Sequence, residues 1–263
     1  MTHDPAAADV QADVVLPAIR KITFDDLKDA LAKGWDDFKQ KPSHVFFIAV
    51  IYPIIGLFLS RLTFGYDVLP LLFPLAAGFA LLGPFAALAF YEISRRRERG
   101  VDTSWGDVFA LTSGESRWAI LALGALLAVI FVAWIITAKF IFESFFGSTY
   151  VPSVGSFIHN VFETPQGIEL IFIGNAVGFL FALVSFAISV VSFPLLLDRD
   201  VSAPVAMVTS VKAVIENPVT MIAWAIFIAL ALIIGSLPAL LGLAIVLPVL
   251  GHASWHLYRK LVV

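Results

Sequence analysis

Long apolar segments dominate the chain and are separated by short polar ones. Residues 68–91, 118–138 and 170–197 contain no charged side chain. Each is at least as long as the roughly 20 residues that a helix needs to cross about 30 Å of hydrocarbon. The pattern therefore predicts a transmembrane helix in each of these three segments.

A fourth apolar segment, Val45–Leu59, is shorter and contains Pro53. It becomes long enough to span if His44 and Arg61 lie in the two interfaces. The aliphatic stem of an arginine can follow apolar surface while its charge stays in water. We therefore expect a first span over 44–62.

The last apolar segment is too long for one helix. Residues 217–258 contain no Asp, Glu, Lys or Arg. A single helix of that length would measure about 63 Å at ~1.5 Å per residue, about twice the hydrocarbon thickness. The breakers Gly235 to Pro238 predict a turn near the middle. Six spans are therefore expected, at about 44–62, 68–93, 118–140, 168–197, 218–235 and 238–258.

Short amphipathic helices are predicted before the spans. In the first, Thr23 and Asp26 have the spacing of a capping box, and apolar residues follow at helical spacing. These apolar positions are Phe24, Leu27, Leu31, Trp35 and Phe38. The opposite, polar face is expected to hold Lys28, Asp29, Lys33, Asp36 and Asp37.

A second short helix is expected at Trp105–Ser113, before the third span, and a third from Pro204 to Asn217. The apolar stripe of the third is Val205, Val208, Val211 and Ile215. Helices of this kind either lie in the membrane interface or pack as collars on the bundle. The predicted fold is all-α and polytopic, with six transmembrane helices in three hairpins, each preceded by a short cytoplasmic interfacial helix.

An internal repeat supports the division into similar units. Ala30–Pro42 and Ala206–Pro218 share their Ala-to-Pro spacing, and each leads into a predicted span. Six landmarks of the second span recur at one constant offset in the sixth. They are Pro74, Gly78, Pro84, Tyr91, Arg95 and Arg96, which match Pro238, Gly242, Pro248, Trp255, Arg259 and Lys260.

Composition agrees with a membrane protein. Hydrophobic residues make up 60% of the chain and charged residues 14%, against roughly 45–50% and about 25% in a soluble domain. The chain has no cysteine, which excludes disulfides, thiolate metal sites and cysteine nucleophiles. The net charge of −3 indicates no particular partner, and nucleic acid is not expected.

Lysine and arginine are unequally divided between the two predicted sides. Fifteen of the 17 fall in alternate segments that begin with the N-terminal one, and only Arg61 and Lys139 fall in the others. Since cytoplasmic loops carry the excess of Lys and Arg, both termini are predicted in the cytoplasm of a bacterial inner membrane. Residues 1–18 lack the features of a signal peptide and are interpreted as a disordered cytoplasmic tail before a transmembrane domain over 19–263.

Charged residues close the second span. Glu92 precedes Arg95 and Arg96 by three and four positions, so it can pair with either on a helix. The simpler interpretation is an ion pair and topology determinant at the cytoplasmic end. The functional alternative is that the basic run binds anionic lipid headgroups.

Small and polar residues follow one face of the fourth span. This seam consists of Asn175, Gly178, Ala182, Ser185, Ser189 and Ser192. Such residues let helices approach closely, so packing against other helices is the preferred interpretation. The alternative is a hydrophilic path, although such a path usually needs ionisable groups inside the membrane.

His252 and His256 share a face of the sixth span. Their spacing can hold a metal, but a third ligand is required, and among the histidines only His44 is expected at the same level. Interfacial histidines are the simpler interpretation. No catalytic residue, metal site or cofactor is predicted, because the chain contains no G-x-S-x-G, Walker or H-E-x-x-H motif.

Three stretches carry a family resemblance: IRKITFDDLKDALAKGWDDFKQKPSH, LPLLFPLAAGFALLGPFAALAFYEISRRRERG and LPVLGHASWHLYRKL. They resemble a group of uncharacterised proteobacterial integral membrane proteins, a domain family of unknown function. Members are sometimes labelled as similar to cytochrome c oxidase subunit I. That oxidase subunit needs more spans than are predicted here and more histidine ligands than the five histidines of this chain provide.

The sequence therefore favours a non-enzymatic inner-membrane protein that associates with the lipid bilayer, its anionic headgroups or other membrane proteins. The alternative is a small transporter or channel for apolar or weakly polar solutes. The repeat and prolines such as Pro84 and Pro248 would suit bent transporter helices. A third hypothesis is a membrane-embedded enzyme or cofactor carrier that uses His252 and His256.

Overall fold

The computed structural model describes residues 16–40, 56–57, 69–101, 116–148, 154–238 and 241–263. Over these ranges the chain is helical, which confirms the all-α prediction, and a β-bridge pairs Ile19 with Val262. The helices are α1 (Phe24–Gln40), α2 (Leu72–Phe79), α3 (Gly83–Ala86), α4 (Leu88–Glu98), α5 (Arg117–Phe146), α6 (Val154–Glu163), α7 (Pro165–Ser189), α8 (Ser192–Asp198), α9 (Ala203–Glu216), α10 (Pro218–Ser236) and α11 (Leu243–Leu261).

Four helical segments within the described ranges are long and apolar enough to cross a membrane. They coincide with four of the six predicted spans and cover Leu72–Glu98, Arg117–Phe146, Pro165–Asp198 and Pro218–Ser236. The first of them is irregular, since a 3₁₀ turn at Ala80–Leu82 precedes Pro84. Proline lacks the N–H that a regular helix would use there.

Two predicted elements lie outside the residues that the structure describes. The first span, 44–62, lies outside the described residues except for Gly56 and Leu57, and so does the short helix at 105–113.

The amphipathic helix α6 was not predicted. Thr164 caps the following helix, since its Oγ1 accepts a hydrogen bond from the Gly167 N–H at 3.1 Å.

The predicted sixth span corresponds to α11, which differs from the four spans. It begins at Leu243 rather than at 238 and ends in Arg259 and Lys260. Its second half is enclosed by protein, with His252 and Trp255 both 0% exposed. Because of these polar residues α11 is not among the four candidate spans, and the six-span, three-hairpin arrangement remains a prediction.

The tightest packing is at one end of the molecule, which we call the cap. The cap consists of α1, α4, α8, α9 and the second half of α11, from Pro248 onwards. Phe193 of α8, Ala206 of α9 and Trp255 of α11 are all 0% exposed. Leu123 of α5 and Met221 of α10 belong to the same buried core, so the cap holds one end of these spans.

Helix α1 packs on α11 as a collar, one of the two arrangements considered for it. The predicted capping box is confirmed: the Thr23 N–H donates to Asp26 Oδ2 at 2.9 Å, and the Asp26 N–H donates to Thr23 Oγ1 at 3.3 Å. The closest approach is at Gly34, where an added Cβ would lie 2.6 Å from the backbone nitrogen of Ala253.

The predicted contact faces of the short helices are wrong in part. The buried residues of α1 are Leu27, Ala30, Gly34 and Asp37, whereas Phe24 and Trp35 are 52% and 46% exposed. The buried residues of α9 are Ala206, Thr209, Ser210 and Ala213, whereas Val208 and Ile215 are 51% and 69% exposed. Small side chains permit close backbone approach and form much of the contact, so part of each bulky stripe turns outward while Leu27 stays buried.

Candidate functional site

Asp37 is the centre of a buried polar cluster in the cap. Its side chain was predicted on the polar face of α1 but is 4% exposed by residue. Oδ2 accepts hydrogen bonds from the Ser94 hydroxyl and from Nε2 of His256, the latter at 2.8 Å. Oδ1 accepts from the Arg97 guanidinium. One carboxylate thus joins α1 to α4 and α11.

His252 joins this cluster through the same serine. Its Nδ1 lies 2.7 Å from Ser94 Oγ. The serine hydroxyl has one hydrogen, which it donates to the carboxylate of Asp37, so Nδ1 of His252 must donate to Oγ. In this neutral tautomer Nε2 carries no hydrogen, and among the described residues it has no hydrogen-bond partner.

The surroundings of Asp37 stabilise its charged form. Burial by itself raises the pKa of a carboxyl group, because the charge loses its solvation. Hydrogen bonds from His256 and Ser94 outweigh burial and hold the pKa of Asp37 below its ordinary value. Asp37 is therefore a permanent negative charge that fixes its neighbours, and it does not act as a proton donor near neutral pH.

Glu92 forms a second buried ion pair in the cap, with a side chain 1% exposed. Its two oxygens accept from Nε of Arg95 at 2.7 Å and from Nε of Arg96 at 2.6 Å. Both pairings that the spacing permits are therefore present. Arg95 also donates to the Leu197 carbonyl at 2.7 Å, which ties α4 to α8.

Two more carboxylates connect the ends of α4, α8 and α11. Asp198 accepts from the Tyr258 hydroxyl at 2.9 Å and from Arg259 at 3.2 Å. Glu98 accepts from the Trp255 indole N–H and from Nε of Arg259, both at 3.1 Å. The helix ends therefore share a continuous set of ion pairs and hydrogen bonds.

The segment before α1 crosses the ends of the other cap helices. Asn217 Oδ1 accepts from the Ile22 N–H at 2.8 Å, and its Nδ2 donates to the Arg20 carbonyl at 3.1 Å. The Arg20 N–H donates to the Leu261 carbonyl at 2.8 Å. Arg20 is thereby brought next to the end of α11, more than 200 positions away in sequence.

A basic cavity lies where this segment meets the ends of α8 and α11. Its volume is about 370 Å³. It is lined by Arg20, Arg199, Arg259, Lys260, Val262 and Val263. The lining side chains provide four positive charges and no carboxylate, so the cavity suits an anion.

The small-residue seam of α7 divides into two parts. Ser185 and Ser189 are 2% and 0% exposed, and a Cβ on Gly178 would lie 2.9 Å from the Trp134 ring. The predicted burial is wrong for Asn175 and Ala182, which are exposed. Both occur where α7 presents apolar side chains outward, and the Asn175 amide is satisfied by the Ile171 carbonyl of its own helix at 2.7 Å.

The hypothesis of a metal or cofactor site at His252 and His256 can be compared with the structure. Within the described ranges no group of three or more His, Cys, Asp or Glu residues is arranged to hold a metal ion. His44, the third ligand considered, lies outside those ranges. His252 and His256 instead bind Ser94 and Asp37, and the Ser94 hydroxyl, although it lies next to these possible bases, is 0% exposed.

Sequence reasoning missed several residues of the cap. Asp37, Ser94 and Arg97 belong to the cluster around the two histidines, and the lining residue Arg199 was considered only as a topology signal. The useful signal for Asp37 is its position three residues after Gly34, since Ala30 and Gly34 mark a face suited to close contact. No local pattern relates Arg20 to α11.

The comparisons with known proteins agree with the membrane assignment. The comparison with curated proteins found no match, and neither did the comparison with solved structures. Residues 72–198 match the model of a family described as "Predicted integral membrane protein (DUF2189)". The matched segment contains three of the four candidate spans and ends at Asp198 of the cap. The resemblance to an uncharacterised family of integral membrane proteins is thereby confirmed over residues 72–198.

Proposed function

We propose that this is a non-enzymatic protein of a bacterial inner membrane, with six crossings and both termini in the cytoplasm. Its cap associates with anionic lipid headgroups of the cytoplasmic leaflet. The observation that carries the proposal is the division of charge in the cap. The buried carboxylates Asp37 and Glu92 are engaged by other residues of the cap, whereas four cations line an open cavity.

The position of the basic residues supports the orientation. Arg97, Arg199 and Arg259 all belong to the cap or adjoin it. Lys139 lies on α5 about six helical turns after Arg117, towards the other end of that span. An excess of Lys and Arg marks the cytoplasmic side, so the cap is assigned to the cytoplasm.

The outward-facing stripes of the short helices support contact with the membrane. Phe24 and Trp35 on α1 and Val208 and Ile215 on α9 are about half or more exposed. A tryptophan beside charged residues is typical of a helix that lies in the interfacial region. These side chains would bring the basic cavity near the headgroups.

Purification in a mild detergent that retains lipid, followed by mass spectrometry, tests the function. The proposal expects anionic phospholipid to copurify above its share of the source membrane. Retention of zwitterionic lipid alone would contradict it. A stoichiometric partner protein without enriched anionic lipid would instead assign the cap to protein association.

Topology requires a separate test. Reporter fusions at Arg97 and at the C-terminus should give cytoplasmic signals, and a fusion at Phe145 a periplasmic one. A cysteine introduced as Ser236→Cys should react with an impermeant thiol reagent added from outside. A periplasmic C-terminus would contradict the even number of crossings.

The alternative, a transporter or channel for apolar or weakly polar solutes, has less support. It would be favoured by a solute-sized cavity among the spans at the level of Asn175 and Pro84. The basic cavity described above lies instead at the helix ends. The buried part of the seam contains Ser189, whose hydroxyl donates back to the Ser185 carbonyl of its own helix.

A further inference from the structure

We propose that the cavity lined by Arg20, Arg199, Arg259 and Lys260 is a specific site for one phosphate group. The inference rests on the proposed function only for the source of that phosphate, a lipid headgroup. A soluble phosphate compound has the same recognising chemistry. The site differs from the Arg95–Arg99 run that the sequence suggested for lipid.

The local balance of charge leaves the cavity positive. The carboxylates that pair with the lining cations are Asp26, Asp29, Glu98 and Asp198. None of them lines the cavity. Lys33 and Arg99 share two of these carboxylates, so among these described residues six cationic side chains share four carboxylate side chains and a positive side-chain excess remains.

Arg199 is less engaged by its neighbours than the other lining cations are. Its Nη1 donates to the backbone oxygen of Val263 at 3.4 Å, a long hydrogen bond, and no Asp or Glu side chain is paired with it in the described ranges. Arg199 is placed directly after α8, and the other lining cations come from two other parts of the chain, the segment before α1 and the end of α11. Its remaining N–H donors are available to an anion that enters the cavity.

The hydrogen-bond donors of the cavity match a phosphate ligand. The planar fork of an arginine binds phosphate oxygens through two parallel hydrogen bonds, and a lysine adds a compact charge. Three arginines and one lysine on different sides can surround a tetrahedral anion. The volume of about 370 Å³ falls within the range of small-molecule sites and exceeds what a phosphate alone occupies, so a substituted phosphate fits.

The apolar residues of the cavity lining indicate where the organic substituent of the phosphate would lie. Val262 and Val263 contribute the only uncharged side chains among the lining residues. Val262 is 4% exposed, whereas Val263 is 71% exposed. The cavity therefore opens past Val263, and the glycerol or acyl part of a phospholipid would leave along this side.

Binding to purified protein in a neutral detergent tests the site. The probes are inorganic phosphate and dihexanoyl phosphatidic acid, with dihexanoyl phosphatidylcholine as the zwitterionic comparison. Saturable one-to-one binding of at least one of the first two is expected. Arg199→Gln should weaken that binding by at least about tenfold, because a hydrogen bond to a charged group is lost. The matched control Arg117→Gln removes a cation elsewhere on the same side and should leave the dissociation constant unchanged.

The outcomes decide whether the site exists and whether its phosphate comes from a lipid or from a soluble compound. Inorganic phosphate that binds as tightly as the lipid assigns the site to a soluble phosphate compound, and tighter lipid binding assigns it to a headgroup. Equal weakening by both substitutions, or saturation by neither phosphate probe, overturns the site. Arg20→Gln provides a second test if Arg199→Gln changes the thermal unfolding of the free protein. If no anionic lipid copurifies but inorganic phosphate saturates through Arg199, the proposed function fails and the site stands.

Discussion

The cap and the apolar region of the four spans are both helical, but they differ in how much of their side-chain surface is buried within the protein. In the cap, Phe193, Trp255 and His252 are 0% exposed. In the spans, the most apolar windows of Leu72–Glu98, Arg117–Phe146 and Pro218–Ser236 are only 18–22% buried. Pro165–Asp198 is 50% buried, since its last part belongs to the cap. The cap packs like a soluble domain, whereas the spans leave large apolar side chains outward.

The difference indicates which solvent surrounds each region. Phe172 and Phe140 are 73% and 70% exposed, which lipid tolerates because its tails are as apolar as the side chains. In the cap, buried polar groups must find partners within the protein, as Asp37 and Glu92 do. Substitutions in the cap should therefore cost stability through lost partners or overpacking, while outward positions on the spans should tolerate change.

The largest effect is expected for Asp37→Ala. This change leaves Ser94, His256 and Arg97 without their shared acceptor inside the cap. Removing one partner of a buried ion pair typically costs about 3–5 kcal/mol, and about 3 kcal/mol is expected because Arg97 is partly exposed. Thermal unfolding in detergent measures this. The control Asp36→Ala removes an exposed partner of the same arginine and should change stability little; equal losses would show that Asp37 is not the centre of the cap.

A slightly smaller loss is expected for Gly34→Ala. The new Cβ would meet backbone atoms of Ala253 at 2.6 Å, and backbone cannot move aside as a flexible side chain can. Overpacking costs about 1–3 kcal/mol, and the upper part of this range is expected. Gly174→Ala is the control, because nothing lies within 4 Å of its added Cβ. Unchanged unfolding of Gly34→Ala would argue against the collar position of α1.

On α7 the two parts of the seam should respond differently to the same side chain. Ser185→Leu adds volume at a buried position and should cost about 1–2 kcal/mol, whereas Ala182→Leu at an exposed position should be tolerated. Ser185→Ala should cost least, since the Ser185 hydroxyl has no hydrogen-bond partner among the described residues. A loss in Ser185→Ala as large as in Ser185→Leu would mean that the hydroxyl itself matters, as a hydrophilic path requires.

The smallest effect concerns acid stability. The Thr23 N–H lowers the pKa of Asp26, and the Lys260 ammonium lowers that of Asp29. A carboxyl with a lowered pKa in the folded state stabilises the protein above its unfolded pKa, here 3.8. That contribution is lost as pH falls below 3.8 through the folded values. Unfolding measured between neutral pH and about pH 3 should show it. Lys260→Gln should make stability depend less steeply on pH. A steeper pH dependence in this variant would contradict the pairing of Lys260 with Asp26 and Asp29.

The sequence predicted elements better than contact faces. The spans at 118–140, 168–197 and 218–235, the capping box at Thr23 and the helix from Pro204 all have counterparts in the structure. The stripes of α1 and α9 pointed to the buried faces only in part, because hydrophobic size indicates burial in water but not contact between closely approaching helices. Asn175 and Ala182 were misjudged for the converse reason, since small size permits close helix contact but does not require it. The first and sixth crossings, the hairpins and the repeat remain predictions.

What the sequence alone determined follows from local physical chemistry. Apolar length sets which segments can cross a bilayer, the distribution of Lys and Arg predicts the side, and caps and prolines set helix ends. The partners of Asp37, Glu92 and Arg199 were decided only by the tertiary structure. A hydrogen bond between residues such as Asp37 and His256 depends on how α1 crosses α11, and that crossing is set by the fit of Gly34 against Ala253. Local sequence patterns do not indicate which residues far apart in the chain come into contact. The polar cluster and the basic cavity could therefore be found only in the folded chain.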